Sequence, residues 1–136
     1  MHGKLRIDQS DGSYESYHGQ ISNDMVNGKG TLFKFSSFNR KQYQYTGEFK
    51  NNKKHGHGQY TENDKFGVSY YGQWKENVYH GYGELCCETC VESSYFGQWK
   101  DGQKHGFGKC YFSEYDVPEP YEGGYNTHIY RWMERW

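Results

Sequence analysis

Residues 70–85 read Y-Y-G-Q-W-K-E-N-V-Y-H-G-Y-G-E-L. Tyr70, Gly72 and Trp74 stand two apart, so in an extended chain they share one face. Glu76-Asn77 interrupts this alternation, and Gly81, Gly83 and Leu85 resume it on the other side. Asn readily takes the positive φ that a tight hairpin turn demands. The stretch therefore predicts two antiparallel strands joined by a short turn. An aromatic, a gap and an aromatic line one side of the first strand.

The same wording recurs along the chain. Tyr17 opens Y-H-G-Q-I, followed by Gly28 and Gly30; Tyr45 opens Y-T-G-E-F, followed by Gly56 and Gly58; Tyr95 opens Y-F-G-Q-W, followed by Gly106 and Gly108. The four leading tyrosines are 28, 25 and 25 residues apart. The fifth residue of each unit is aromatic or aliphatic (Ile21, Phe49, Trp74 or Trp99), and the turn ends in Asp24, Asn52, Asn77 or Gly102. A partial unit opens at Tyr121, and His2-Gly3 stands 14 residues before Tyr17, as Gly56 does before Tyr70. Residues 1–125 thus read as an array: a half repeat at 2–16, full repeats from 17, 45, 70 and 95, and a partial repeat from 121. Hairpins are expected near 16–21/29–35, 44–49/57–62, 69–74/82–87 and 94–99/107–112. The insertion Lys34–Gln44 is expected to enlarge a loop between hairpins. A lone hairpin is marginal in water, so the hairpins must stack edge to edge. The expected fold is all-β: an elongated, single-layer, twisted antiparallel sheet stabilised by neighbour contacts.

These residues resemble the MORN family (membrane occupation and recognition nexus repeats), in which Y-x-G-x-W/F precedes H-G-x-G. The matching sets are Tyr45, Gly47, Phe49, His55, Gly56, Gly58; Tyr70, Gly72, Trp74, His80, Gly81, Gly83; and Tyr95, Gly97, Trp99, His105, Gly106, Gly108. The unit at Tyr17 departs from the pattern with Asn27 in place of His. The resemblance implies an assembly or docking module, with small stand-alone members known in cilia, including radial spokes, and in cytoskeletal structures. It also implies a second class of role, attachment to anionic lipid.

Composition agrees with a β array and excludes several alternatives. Of the 136 residues, 20% are aromatic, with 15 Tyr, 8 Phe and 4 Trp, while Ala is absent and Gly numbers 18. Such a chain lacks the Leu and Ala that helical bundles need. Aromatics bury large areas and favour strands. The net charge of −1 argues against a nucleic-acid partner. No run of 18 apolar residues suggests a membrane span. Met1–Ser13 lacks the apolar core of a signal peptide, so the four cysteines are expected as reduced thiols in a cytoplasmic, non-secreted protein.

No nucleophile elbow, phosphate loop or zinc-protease motif is present, so neither catalysis nor a cofactor is expected. His55, His80 and His105 are equivalent residues two strands apart. At about 9–10 Å they are too distant to share one zinc ion. Cys86-Cys87-x-x-Cys90 with Cys110 contains only one C-x-x-C, and no metal is expected there either. Residues 34–57 carry six basic residues against Glu48, while 58–126 carry five basic against eleven acidic. Arg40, Lys41, Lys50, Lys53 and Lys54 are therefore the candidate contact for an anionic surface.

In the last segment, 126–136, the repeat stops. Ile129, Trp132, Met133 and Trp136 follow helical spacing, so a short C-terminal helix is expected. That helix would either cap the last strand edge or anchor in a partner's groove. The candidate partner-binding groove is the line of Tyr45, Phe49, Tyr70, Trp74, Tyr95 and Trp99. The functional expectation is a non-catalytic scaffold that docks other proteins of a multi-subunit complex, with the axoneme or cytoskeleton as its setting. An open sheet edge would also allow a homodimer. The alternatives are a peripheral membrane or phosphoinositide-binding adaptor, and a targeting or regulatory subunit for an enzyme on another chain.

Overall fold

The computed structural model describes residues 1–89, 92–112 and 130–135. Its strands are β1 His2–Asp8, β2 Tyr14–Ser22, β3 Met25–Phe35, β4 Lys41–Lys50, β5 Lys53–Glu62, β6 Ser69–Lys75, β7 Val78–Cys86, β8 Glu92–Lys100, β9 Gln103–Phe112 and β10 Tyr130–Arg135. They lie in one sheet in chain order, each antiparallel to its neighbours. The four hairpins fall where the alternation of Tyr, Gly and aromatic residues predicts them. The described residues contain no helix.

Two expectations are corrected. The insertion Lys34–Gln44 lengthens the strands rather than the loop: β3 runs to Phe35, β4 starts at Lys41, and residues 36–40 alone bridge them. The tail also differs over its described part. Tyr130–Arg135 is a strand, with Tyr130 opposite Tyr111 and Arg135 opposite Gly106. A helix of ten residues is marginal by itself. A strand here satisfies the open backbone edge of β9, and Tyr and Trp suit that geometry. Trp132 and Met133 belong to this strand, while Ile129 and Trp136 lie outside the described residues. The partial repeat from Tyr121 lies outside them as well.

Each hairpin turns through two residues of positive φ: Asn23 and Asp24, Asn51 and Asn52, Glu76 and Asn77, Asp101 and Gly102. Positive φ at both central residues defines the type I′ turn, whose twist matches that of the flanking strands. The second turn residue also ties one hairpin to the hairpin before it. Asn52 donates its backbone N–H to the Val26 carbonyl at 3.0 Å, and its Oδ1 accepts from the Val26 N–H at 2.8 Å. Asn77 makes the same pair with Lys54, at 3.0 and 2.9 Å. Gly102 has no side chain and keeps only the backbone bond, to Tyr79 at 2.9 Å.

One glycine per strand stands at the same level from β1 to β9. Gly3, Gly19, Gly30, Gly47, Gly58, Gly72, Gly83, Gly97 and Gly108 pair in succession across the sheet. Beside this ladder every repeat hairpin carries an irregularity of register, between Gly19 and Ile21, Gly47 and Glu48, Gly72 and Trp74, or Gly97 and Trp99. Such bulges bend the strand and raise its twist. The leading tyrosine then folds its ring over the second glycine of its own hairpin: Tyr45 over Gly58, Tyr70 over Gly83, Tyr95 over Gly108. No residue with a Cβ fits under that ring.

Candidate functional site

The six aromatics expected to line a groove are interior. Tyr45 and Tyr70 are 0% exposed, and Phe49, Trp74, Tyr95 and Trp99 are also buried. Each Phe or Trp stands edge-on between the tyrosine of its own repeat and that of the repeat before. Phe49 lies 5.2 Å from Tyr17 and 5.0 Å from Tyr45, and Trp74 lies 5.1 Å from both Tyr45 and Tyr70. Trp99 continues the file at 5.6 Å from Tyr70 and 5.1 Å from Tyr95. T-shaped pairs of this kind add to the energy of area burial. With so few aliphatics, this file of rings is the core, so its members have little surface to offer a partner. Burial raises the Tyr45 and Tyr70 hydroxyl pKa values well above 10.0.

The buried polar atoms of the file are satisfied from within. The Tyr17, Tyr45, Tyr70 and Tyr95 hydroxyls donate to the carbonyls of Gln20, Glu48, Gln73 and Gln98, at 2.8 to 3.0 Å. The Trp74 and Trp99 indoles donate to the Gly58 and Gly83 carbonyls, at 3.2 and 3.0 Å. The same Gln or Glu accepts, through its side chain, the N–H of Lys29, His57, Tyr82 or Phe107, at 2.6 to 3.1 Å. This residue is fixed by the bulge, which leaves one strand N–H without a ladder partner. Its signal in the sequence is the Gln or Glu that recurs after the first glycine of every full unit.

The opposite face of the sheet carries a second aromatic group. Tyr71 on β6, Tyr82 on β7, Phe96 on β8 and Phe107 on β9 are between 51% and 66% exposed. The register places Tyr71 and Phe96 on either side of Glu84, and Tyr82 opposite Gln98. The four rings therefore step across four adjacent strands. Earlier in the chain the matching positions are polar: His18, Lys29, Thr46 and His57. The signal was present in Y-Y-G, G-Y-G, Y-F-G and G-F-G, because alternation puts the neighbour of a buried tyrosine on the far face.

The basic candidates are not brought together. Arg40 and Lys41 stand at one end of β4, and Lys50 and Lys53 at the other, past its ten residues. That separation is about 30 Å at 3.3 Å per residue. Lys54 points elsewhere: its Nζ lies 5.4 to 5.6 Å from the Tyr43, Tyr45, Tyr60 and Trp74 ring centroids. Burial lowers its pKa below 10.5, with Glu15 acting in the opposite sense. Among the cysteines, Cys86 is a free thiol, but Cys87 is disulfide-bonded, which corrects the expectation of four reduced thiols. No cluster of His, Cys, Asp and Glu among the described residues has the arrangement to hold a metal ion. His80 Nδ1 is enclosed without a hydrogen-bond partner.

Comparison with known families agrees with this geometry. The MORN repeat model matches residues 17–34, 45–63, 70–89 and 95–117, more than half of the chain. The chain belongs to the MORN-repeat family, whose repeats are generally non-catalytic modules for protein or lipid interaction. No curated protein matches the sequence.

Proposed function

We propose that this chain is a non-catalytic docking module that holds partner proteins within a larger eukaryotic assembly. One observation carries the reading: Tyr71, Tyr82, Phe96 and Phe107 stand exposed in a row, while the repeat's core aromatics are already consumed by one another. Large exposed aromatics grouped on a rigid face favour protein interfaces, where Tyr and Phe are enriched. The assembly we favour is the ciliary axoneme, in a radial-spoke-like setting, or the cytoskeleton, and this placement rests on the likeness to small MORN-repeat proteins. Regulation of an enzyme on another chain would use the same surface. The lipid-contact reading loses support from the 30 Å spread of its cations, since polybasic contacts gain about 1 kcal/mol for each residue that reaches the surface together.

Affinity purification of the tagged native protein, followed by mass spectrometry, tests the proposal. The wild type should retrieve axonemal or cytoskeletal proteins. The triple variant Tyr82→Ser, Phe96→Ser, Phe107→Ser should keep its melting temperature and lose them. Retention of the same partners by the folded triple variant would refute the assigned surface. Recovery only with membrane fractions would refute the scaffold reading.

A further inference from the structure

The Lys54 side chain crosses the core face and ends among four rings. Its Nζ is nearly equidistant from the Tyr43, Tyr45, Tyr60 and Trp74 centroids. Among the described residues no carboxylate lies within ion-pair distance of it; the ion pairs found there are Arg6–Asp8 and His57–Glu48. Glu15 attracts the ammonium from beyond that distance and Glu62 lines the same cavity, and each is hydrogen-bonded to a tyrosine. Glu15 accepts the Tyr43 hydroxyl at 3.0 Å, and Glu62 accepts the Tyr60 hydroxyl at 2.8 Å. A cavity of about 320 Å³ opens over the ammonium, walled by Tyr43, Tyr60, Trp74 and Tyr79, with Glu62 on its lining. That volume falls at the lower end of ordinary ligand sites.

The fold does not require a cation here. The equivalent residue is Val26 in the first full repeat and Tyr79 in the third. Tyr79 fills its slot as a ring, stacked on Tyr70 at 3.9 Å and edge-on to Trp99 at 5.1 Å. Lys104 occupies the same position in the fourth repeat, 4.8 Å from the Tyr95 centroid. A neutral side chain thus serves the packing, whereas a half-buried ammonium carries a desolvation cost. Cation–π contact offsets part of that cost, and a carboxylate from outside would offset more. Such a pair is strong where its surroundings are apolar and its geometry is close.

We propose that Lys54 and its aromatic walls form a binding site for a carboxylate borne beside an aromatic or apolar side chain. An Asp or Glu within a docked protein segment, or the carboxyl terminus of one, supplies this chemistry. The site extends the docking reading to the other face of the sheet. Its test uses small probes in place of partners, so failure here leaves the exposed aromatic row untouched. Glu62 lines the cavity and repels an entering carboxylate, so its neutralisation should tighten binding.

The full ¹⁵N-labelled chain is titrated with N-acetylphenylalanine and, separately, with N-acetylphenylalaninamide. The Trp74 indole N–H and the amides of 54, 60, 77 and 79 are followed. The carboxylate should give saturable shifts with a Kd in the millimolar range, and the amide should bind at least tenfold more weakly. Lys54→Met, which keeps the stem, should lose tenfold or more, Lys54→Arg should retain binding, and Glu62→Gln should gain two- to threefold. Circular dichroism checks the fold of each variant, and the carboxylate–amide comparison on the wild type stands whatever the variants do. Acetyl-Asp-Phe-amide against acetyl-Ala-Phe as the free acid then separates an internal carboxylate from a terminal one. Equal shifts with acid and amide, unchanged binding by Lys54→Met, or no saturable shift up to about 20 mM would each overturn the proposal.

Discussion

Replacing Gly72 with alanine isolates the close approach at the centre of each hairpin. A Cβ on Gly72 would sit 2.6 Å from the Tyr82 carbonyl oxygen and 2.9 Å from Tyr70 Oη, and would overlap the Gly83 backbone. Ordinary van der Waals contact begins near 3.4 Å, so two paired backbones must part by at least about 0.8 Å. The φ of Gly72 is not in the left-handed region, so the effect is purely one of space. Overpacking costs about 1–3 kcal/mol. Loosening the Tyr70 Oη–H bond to the Gln73 carbonyl adds about 1 kcal/mol. The lower entropy of the unfolded alanine chain returns about 0.4–1 kcal/mol. The net loss is about 2 kcal/mol, or roughly 8 °C in Tm for a domain of this size. Gly3→Ala is the matched control: its Cβ would also meet an atom at 2.6 Å, but that atom is the terminal Cδ1 of half-buried Ile21. Ile21 can turn aside, and the expected loss is under about 0.5 kcal/mol. Urea denaturation followed by circular dichroism reads both variants. Equal losses for the two would show that backbone crowding at the glycine ladder is not what the fold depends on.

Three further outcomes are expected. Gln73→Ala should cost about 1 kcal/mol in urea midpoint stability, because the Tyr82 N–H loses its 2.7 Å acceptor at the bulge; an unchanged midpoint would argue that water replaces it without loss. Glu76→Asn should stabilise by about 0.5–1 kcal/mol, since Glu76 holds a φ of 47°; a lower melting temperature would refute the turn assignment. Burial raises the hydroxyl pKa of Tyr17, Tyr43, Tyr45, Tyr60 and Tyr70 above 10.0, and that of Tyr79 to about 12. The folded state therefore keeps protons that the unfolded chain releases above pH 10, so stability is full below that pH and falls as pH rises toward 12 and beyond. Lys54, lowered in pKa, acts in the opposite direction as a single group. A urea midpoint at pH 11 equal to that at pH 9 would refute the burial assigned to these tyrosines.

Much of the fold was written in the alternation itself. Tyr, Gly and an apolar residue at every second position, with Asn, Asp or Gly at the turn, placed all four hairpins, because side-chain period and turn conformation are local properties. The role of the groove aromatics was not legible. The sequence places Tyr70 and Trp74 on one face, but whether rings cover each other or stay open depends on the neighbouring repeat. Here Trp74 reaches Tyr45 across the hairpin boundary, and the face closes. The tail misled for a related reason: Trp132 and Met133 fit a helical stripe, yet the deciding factor was the unpaired backbone edge of β9. Gln73 and its equivalents were hidden because their function arises from the bulge, which no residue pattern announces by itself.

The turn asparagines have a consequence for how such a molecule changes length. Asn52 clasps only Val26, and Asn77 clasps only Lys54, so each hairpin measures its position from the one immediately before. Among the described residues, these turn bonds link neighbouring hairpins only. Duplication of one 25-residue unit would lengthen the sheet by two strands, a step of about 9.6 Å, and would leave every other spacing as it was. A protein built this way is a graduated rule: the number of copies in its gene fixes the distance between whatever is attached at its two ends.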